Sequence, residues 1–193
     1  IDYARALPQS FADITLGEND YRRALLAGSK AITEDINLLG AVELVGNDGP
    51  WVQPEDFKKQ NGVLRLSSGT ASNGYAFTAM AYDAEWTATE HVPERAIASG
   101  EIDRYGTLAP TDGGKTNRYN LSAEWGRSDD HSALRANAYL TDYGLNLFSS
   151  PSALLDGQHE QADRRTIWGG GILRAWFLGE RCKDSEVTLG LQY

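Results

Sequence analysis

Long apolar runs are missing from this chain of 193 residues: nowhere does a stretch approach the roughly 20 consecutive apolar residues that a spanning helix needs. Helical membrane proteins are therefore excluded. Strands that cross a bilayer need only every second residue apolar, so a hydrophobic content of 41% leaves that class open. A cationic excess is missing too. The net charge of −9 and a pI near 4.8 provide no basic face to neutralise phosphates, which argues against nucleic acid as a partner. A single cysteine, Cys182, excludes an intramolecular disulfide and a thiolate metal cluster. With no histidine nearby to act as its base, it reads as an incidental thiol and not a nucleophile. No secretory signal peptide opens the chain. Its first residues, Ile1-Asp2-Tyr3, and its last, Thr188-Leu189-Gly190-Leu191-Gln192-Tyr193, lie inside patterned sequence, so both ends are expected to be cut.

Glycine, by contrast, is abundant (20), as are Tyr (9) and Trp (5), while Pro is scarce (6). Glycine with aromatics suits strands that twist and carry rings at an interface. Alternation with period two is the dominant signal. It is cleanest where Tyr119, Leu121, Ala123 and Trp125 share one face and Arg118, Asn120, Ser122 and Glu124 the other. Leu134, Ala136, Ala138 and Leu140 repeat it, opposite Arg135, Asn137, Tyr139 and Thr141. Leu38/Gly40/Val42/Leu44, Leu64/Leu66 and Val187/Leu189/Leu191 follow the same rule. Tyr82, Ala84 and Trp86 fall on the opposite parity from Tyr75 and Phe77, which predicts a bulge or register change between them. Residues 21–31 hold good helix formers but are interrupted at Gly28-Ser29. The run Pro54-Glu55-Asp56-Phe57-Lys58-Lys59 predicts one helical turn, with proline near its start and acids in the first turn.

Strands are expected near 10–17, 21–31, 36–46, 61–69, 75–86, 117–127, 132–147, 163–177 and 185–193. From the second connection onward the linkers alternate in length. Short ones fall at 32–35, 70–74, 128–131 and 178–184, and long ones at 47–60, 87–116 and 148–162. Short turns at one end and long loops at the other are what an outer-membrane barrel shows, with the long loops extracellular. A soluble sandwich has no reason to segregate its loops in this way. Trp86, Trp125, Tyr143, Trp168 and Trp176 are placed near strand ends, as an aromatic girdle or, in a soluble β-domain, as core rings. The expected fold class is all-β: an antiparallel transmembrane β-barrel wall of about nine meandering strands, with residues 1–193 forming a single partial barrel domain. Nine strands do not close as a bacterial up-and-down barrel, which favours a part of a larger one.

Several segments resemble TonB-dependent receptors of Gram-negative bacteria. They are Tyr21-Arg22-Arg23 with Ala27-Gly28-Ser29, and Asn47-Asp48-Gly49-Pro50-Trp51. Val92-Pro93-Glu94-Arg95-Ala96, Asp103-Arg104-Tyr105-Gly106 and Thr111-Asp112-Gly113-Gly114 leading into Arg118-Tyr119-Asn120-Leu121 come next. Asp142 to Ser149 and Glu160-Gln161-Ala162-Asp163-Arg164-Arg165 complete the ordered set, which covers most of the chain. The resemblance implies a 22-stranded barrel, plugged by a separate domain, that imports a scarce nutrient (a siderophore, metal chelate, cobalamin or similar) with energy passed from TonB. No plug domain and no TonB box is matched, and the carboxy-terminal aromatic signature of outer-membrane proteins is also missing. TonB would act only through that missing plug. The implied location is the outer membrane of a Gram-negative bacterium, with lipid and lipopolysaccharide as partners.

No catalytic site, cofactor or metal is expected. Asp83, Glu85, Glu124 and Asp142 could supply the acid and base of a glycosidase, but carboxylates on neighbouring strands reach such separations readily. The competing reading is a polar lumen wall in which Glu43, Arg65, Arg118, Glu124 and Arg135 pair across strands. His91 and His159 fall in long loops and His131 in a short turn at the other end, so they should not meet around a metal. No Gly-x-Ser-x-Gly elbow occurs, and Thr111-Asp112-Gly113-Gly114 lacks the Lys-Ser/Thr of a phosphate loop and reads as a turn. Ligand contact is placed in the extracellular loops, at Trp51 for ring stacking and at Arg95 and Arg104 for carboxylate or phosphate. Against this, the same charges could fix the loops to themselves and to lipopolysaccharide. Two rival classes remain: a soluble β-sandwich that binds carbohydrate through exposed Trp and Tyr, and an outer-membrane barrel hydrolase.

Overall fold

The computed structural model describes residues 6–150, 157–179 and 185–193. Cys182, the first three residues and parts of the connections expected at 148–162 and 178–184 lie outside that set. The described chain is all-β with one short helix, and its strands make one antiparallel sheet. The strands are β1 (Phe11–Leu16), β2 (Arg22–Ala31), β3 (Ile36–Asn47), β4 (Phe57–Gly69), β5 (Gly74–Thr87), β6 (Gly113–Ser128), β7 (Ser132–Ser149), β8 (His159–Phe177) and β9 (Glu186–Gln192). Each pairs with the next in sequence. The sheet is not closed, so among the described residues β1 and β9 each keep one free edge.

Nine expected strands are nine observed strands, in the expected order. The differences lie at the loop end: β4, β6 and β8 each begin about four residues earlier than the alternation predicted, so the long loops are shorter. The helical turn expected at Pro54 to Lys59 is not there. Phe57, Lys58 and Lys59 pair with Asn47, Gly46 and Val45 and so open β4. The described helix is instead α1 (Glu94–Ala98), where Pro93 and Glu94 precede Ala96, buried beneath it. The helical alternative for residues 21–31 also fails, since they form β2. The bulge expected in β5 is absent: pairing with β6 runs unbroken from Gly74↔Gly126 to Thr87↔Gly113. Tyr75 and Phe77 point to one face, while Tyr82, Ala84 and Trp86 point to the other.

Directly opposed residues in an antiparallel sheet share a face, so the register sorts every side chain. One face carries Ile14, Leu26, Val42, Leu64, Phe77, Leu121, Leu140, Trp168 and Leu189, and these are exposed. The other carries Ala27, Leu39, Arg65, Ser67, Ala76, Thr78, Ala84, Thr141 and Ala175, all buried. No other element packs on either face among the described residues. The face with more of the exposed large apolar side chains is here termed outer and the other inner. Two glycines receive rings on the inner face: a side chain on Gly114 would meet the Trp86 ring, and one on Gly169 the Tyr139 hydroxyl.

The short turn between β6 and β7 is closed by Asp129. Its Oδ1 accepts the amides of His131 and Ser132, each at 2.8 Å, while its own amide donates to the Ser132 carbonyl. These amides, His131 first, hold the Asp129 carboxyl below its ordinary value. A carboxylate whose folded pKa is depressed stabilises above the unfolded value, about 4, and that contribution disappears as pH falls through the lower folded value. Amide exchange at His131 and Ser132 should therefore be several-fold faster in Asp129→Ala than in wild type at pH 6. The gap should close as pH drops below about 4. A gap of equal size at pH 3 would show that the ionised carboxylate is not what holds the turn.

Candidate functional site

The outer face carries a belt of exposed apolar residues that crosses the whole sheet. On β3 it runs from Ile36 to Leu44, on β6 from Tyr119 to Trp125, and on β9 from Val187 through Leu191. The belt is oblique to the register. Val42 of β3 lies on the same transverse row as Gly62, Ala81, Tyr119, Asp142 and Thr166, so a row that is apolar at one side is polar by β7 and β8. At the other margin, Ile36 shares a row with Ser68, Tyr75, Trp125, Ala136, Ile172 and Leu191, yet β9 continues apolar to Leu189 and Val187. The belt thus drifts by about five residues over six strands. At roughly 3.3 Å per residue and 4.8 Å per strand, that is a slant of about 30°. Its projected area is on the order of 900 Å² from the same spacings, against the 300–600 Å² of the largest patch on a typical soluble monomer. Toward the loops the outer face turns polar with Lys58, Asp83, Glu85, Lys115, Asn117 and Arg164.

The aromatic girdle is only partly where it was expected. Trp125 and Trp176 are outer and close to the turn end of their strands. Trp86 and Tyr143 face inward instead, and Trp168 is outer but in the middle of β8, against the Tyr193 ring at 4.9 Å. Alternation cannot tell a lipid-facing ring from an inner one until the face of the strand is known.

The inner face mixes apolar side chains such as Leu39, Val63 and Met80 with cross-strand ion pairs. Glu43 accepts Arg23 Nε at 2.6 Å and Lys59 Nζ at 2.7 Å, and Arg23 also reaches Asp13 at 2.9 Å. Arg65, nearly fully buried, donates to Thr78 Oγ1 at 2.6 Å and to Glu124 at 3.0 Å. Asn120 donates to Thr141 at 2.8 Å. Glu43, Arg65 and Glu124 thus pair across strands as the lumen-wall reading required, whereas Arg118 and Arg135 have no carboxylate within 4 Å among the described residues. The four carboxylates considered as an acid–base pair do not share a site: Asp83, Glu85 and Asp142 are outer and Glu124 is inner.

The loops at the long-loop end are knitted into one body. The β3–β4 loop donates Val52 N–H to the Tyr105 carbonyl at 2.9 Å and Gln53 Nε2 to the Pro110 carbonyl at 2.7 Å. Thr87 holds the Pro54 carbonyl at 2.6 Å. Asp112 has no exposure at all, and its carboxylate accepts Ser150 N–H, Ser150 Oγ and Gln158 Nε2, each at 2.8 Å. Ser149 Oγ adds a bond to Glu90 at 2.8 Å. Gly113, at φ +148°, follows Asp112 because any Cβ there would lie 2.3 Å from the Trp86 carbonyl oxygen.

Trp51 is half-buried in this body. Its indole N–H donates to Glu55 at 2.6 Å, and its ring meets Tyr105 at 6.2 Å between centroids. Arg95, on α1, and Arg104, in the following loop, are exposed and form no ion pair among the described residues. His91 and His159 are at the loop end and His131 is in the opposite turn. No group of three metal-binding side chains occurs among the described residues. Asp112 was passed over as a turn residue. Its sequence signal was the acid before paired glycines, which marks a constrained bend but says nothing of partners thirty-eight residues away.

Asp112→Ala leaves the Ser150 N–H and hydroxyl without their acceptor in a buried place, a loss of about 1–3 kcal/mol. The expected outcome is faster amide exchange at Ser150 and through 88–112, with protection at the turn end of β6 and β7 unchanged. Unaltered exchange at Ser150 would mean that Asp112 does not tie the loops. Compared with known proteins, the chain matches no family model, no curated protein and no solved structure.

Proposed function

We propose that the chain is a length of wall from a bacterial outer-membrane β-barrel, and that this barrel belongs to a TonB-dependent receptor which takes up a scarce nutrient. The observation that carries the membrane reading is the oblique apolar belt on the outer face, set against an inner face that carries the cross-strand ion pairs. A bilayer is the environment in which exposed Leu, Val, Phe and Trp are stable on the outer side of a sheet. Barrel strands tilt by 35–45° to the axis, so a horizontal lipid slab cuts the register obliquely, as the belt does at about 30°. Short turns at one end and interlocked long loops at the other agree with it. The receptor reading rests on the ordered resemblance of the sequence segments, and the nutrient would be met at the loops, around Trp51, Arg95 and Arg104. In this reading further strands complete the barrel along the free edges of β1 and β9. The soluble sandwich has the opposite requirement, a second layer over the apolar face, and none is present among the described residues.

The direct test is refolding with and without detergent micelles, read by β-sheet circular dichroism and hydrodynamic size. Folding that needs micelles supports the wall. A compact monomer in plain buffer overturns it and leaves a soluble binding module. Substitution separates the two media independently. Leu121→Arg, at the middle of the belt, should cost about 2–4 kcal/mol in a bilayer, while Asn117→Arg, above the belt, should cost about 0–1 kcal/mol. If the outer face meets water, Leu121→Arg will be neutral or will raise solubility.

A further inference from the structure

The inner face has a second feature that the register alone exposes. Tyr82 of β5 is opposite Arg118 of β6, Arg118 is opposite Tyr143 of β7, and Tyr143 is opposite Arg165 of β8. Four adjacent strands thus place Tyr, Arg, Tyr and Arg side by side on one transverse row of the inner face. The row lies a few residues below the knitted loops. The Arg165 guanidinium carbon stands 5.3 Å from the Tyr143 ring centroid, and Asp163 engages the same guanidinium in an ion pair. Arg165 is thereby held in place. Arg118 differs: it is exposed on the inner face, flanked by two half-buried phenols, with no carboxylate within 4 Å among the described residues.

We infer that this row is a binding site for a small molecule carrying a carboxylate or equivalent oxyanion on an aromatic ring. The chemistry follows from the spacing. Arg118 presents the planar fork that matches a carboxylate in two parallel hydrogen bonds. Tyr82 and Tyr143 stand one strand away on each side, about 4.8 Å in the sheet. Their hydroxyls can donate to the same anion and their faces can take its ring. The ion pairs at Arg23 and Arg65 show that this inner face supplies carboxylates to cations that brace the wall. Arg118 and Arg135 have none among the described residues, but only Arg118 is flanked by tyrosines, since Arg135 lies between Gly126 and Leu173. The site deepens the uptake reading by naming a ligand chemistry, but it depends on the inner face and not on the lipid belt.

The test is titration of the chain, folded in whichever medium supports it, with benzoate, with cyclohexanecarboxylate and with inorganic phosphate, followed by ligand relaxation in NMR. Benzoate should bind in the millimolar range expected of a fragment, and more tightly than either control. Arg118→Gln should weaken it about tenfold. Arg118→Lys should recover part of that loss and Tyr143→Phe should cost a few-fold. Arg135→Gln, on the same face but away from the row, should change nothing. Benzoate bound equally by wild type and Arg118→Gln overturns the site, as does equal binding of cyclohexanecarboxylate. Circular dichroism of each variant separates lost binding from lost fold, and Arg118→Lys remains decisive if the glutamine variant does not fold. A chain that folds in micelles and ignores benzoate sinks this site alone. One that folds in buffer and binds benzoate sinks the membrane wall and keeps the site.

Discussion

Strand register is the constraint on which everything else in this sheet depends. Side chains alternate between faces with a period of two, so a slip of one residue between any two strands would exchange lipid-type and lumen-type residues on every strand beyond it. Eight unbroken pairings keep Leu, Val and aromatic residues on one side and the Glu43, Arg65 and Glu124 networks on the other. Those networks in turn penalise slippage. Moving β4 by one residue would carry Arg65, now bonded to Thr78 and Glu124, to the apolar face and leave both partners behind. Polar braces inside and apolar side chains outside therefore specify the same register twice.

The strand count and order were legible because they rest on local alternation, and Tyr119 to Trp125 shows that pattern without interference from any other. Beginnings were less legible. The first residues of β4, β6 and β8 rise above the apolar belt, where both faces are polar and alternation vanishes, as at Lys58-Lys59-Gln60 and Lys115-Thr116-Asn117. Hydrogen bonding continues there although the hydrophobic signal has stopped. The two proline-plus-acid segments show the same limit from another side. Pro54-Glu55-Asp56 reads as a helix start, yet the helix forms at Pro93-Glu94, which is followed by Ala96-Ile97-Ala98 with Ala96 buried among its neighbours. The first is followed by residues that find partners on β3, and the ladder wins.

Sites made by register are hidden from the sequence for a stronger reason. Tyr82, Arg118, Tyr143 and Arg165 are spread over eighty-odd residues, and their adjacency exists only once four strands are aligned. The same holds for Asp112, whose partners at Ser150 and Gln158 come from the next long loop. Trp51, Arg95 and Arg104 could be singled out because a ring or a charge in a loop stands out by itself. Their geometry could not, and Trp51 turns out to spend its indole N–H on Glu55 within its own loop.

The inventory of buried residues bears on where the stability of such a sheet comes from. Among the described residues the buried apolar side chains are Ala27, Leu39, Ala76, Ala84, Ala96 and Ala175, so only one is larger than a methyl group. Fully burying a large aliphatic side chain contributes about 1.5–3 kcal/mol, and here Leu39 alone of the large aliphatic side chains is fully buried among the described residues. The conformational entropy lost on ordering is about 1–2 kcal/mol for each residue's backbone, whichever way the side chains point. Five fully buried alanines and one leucine offset little of that in water, and backbone hydrogen bonds exchanged against water add little net. Placed against hydrocarbon, the balance changes on both counts. The outer belt no longer carries a hydration penalty, and each ladder hydrogen bond is held against an unpaired state that costs several kcal/mol. In the proposed membrane setting, the slanted belt on the outer face marks the plane along which the sheet meets its apolar surroundings.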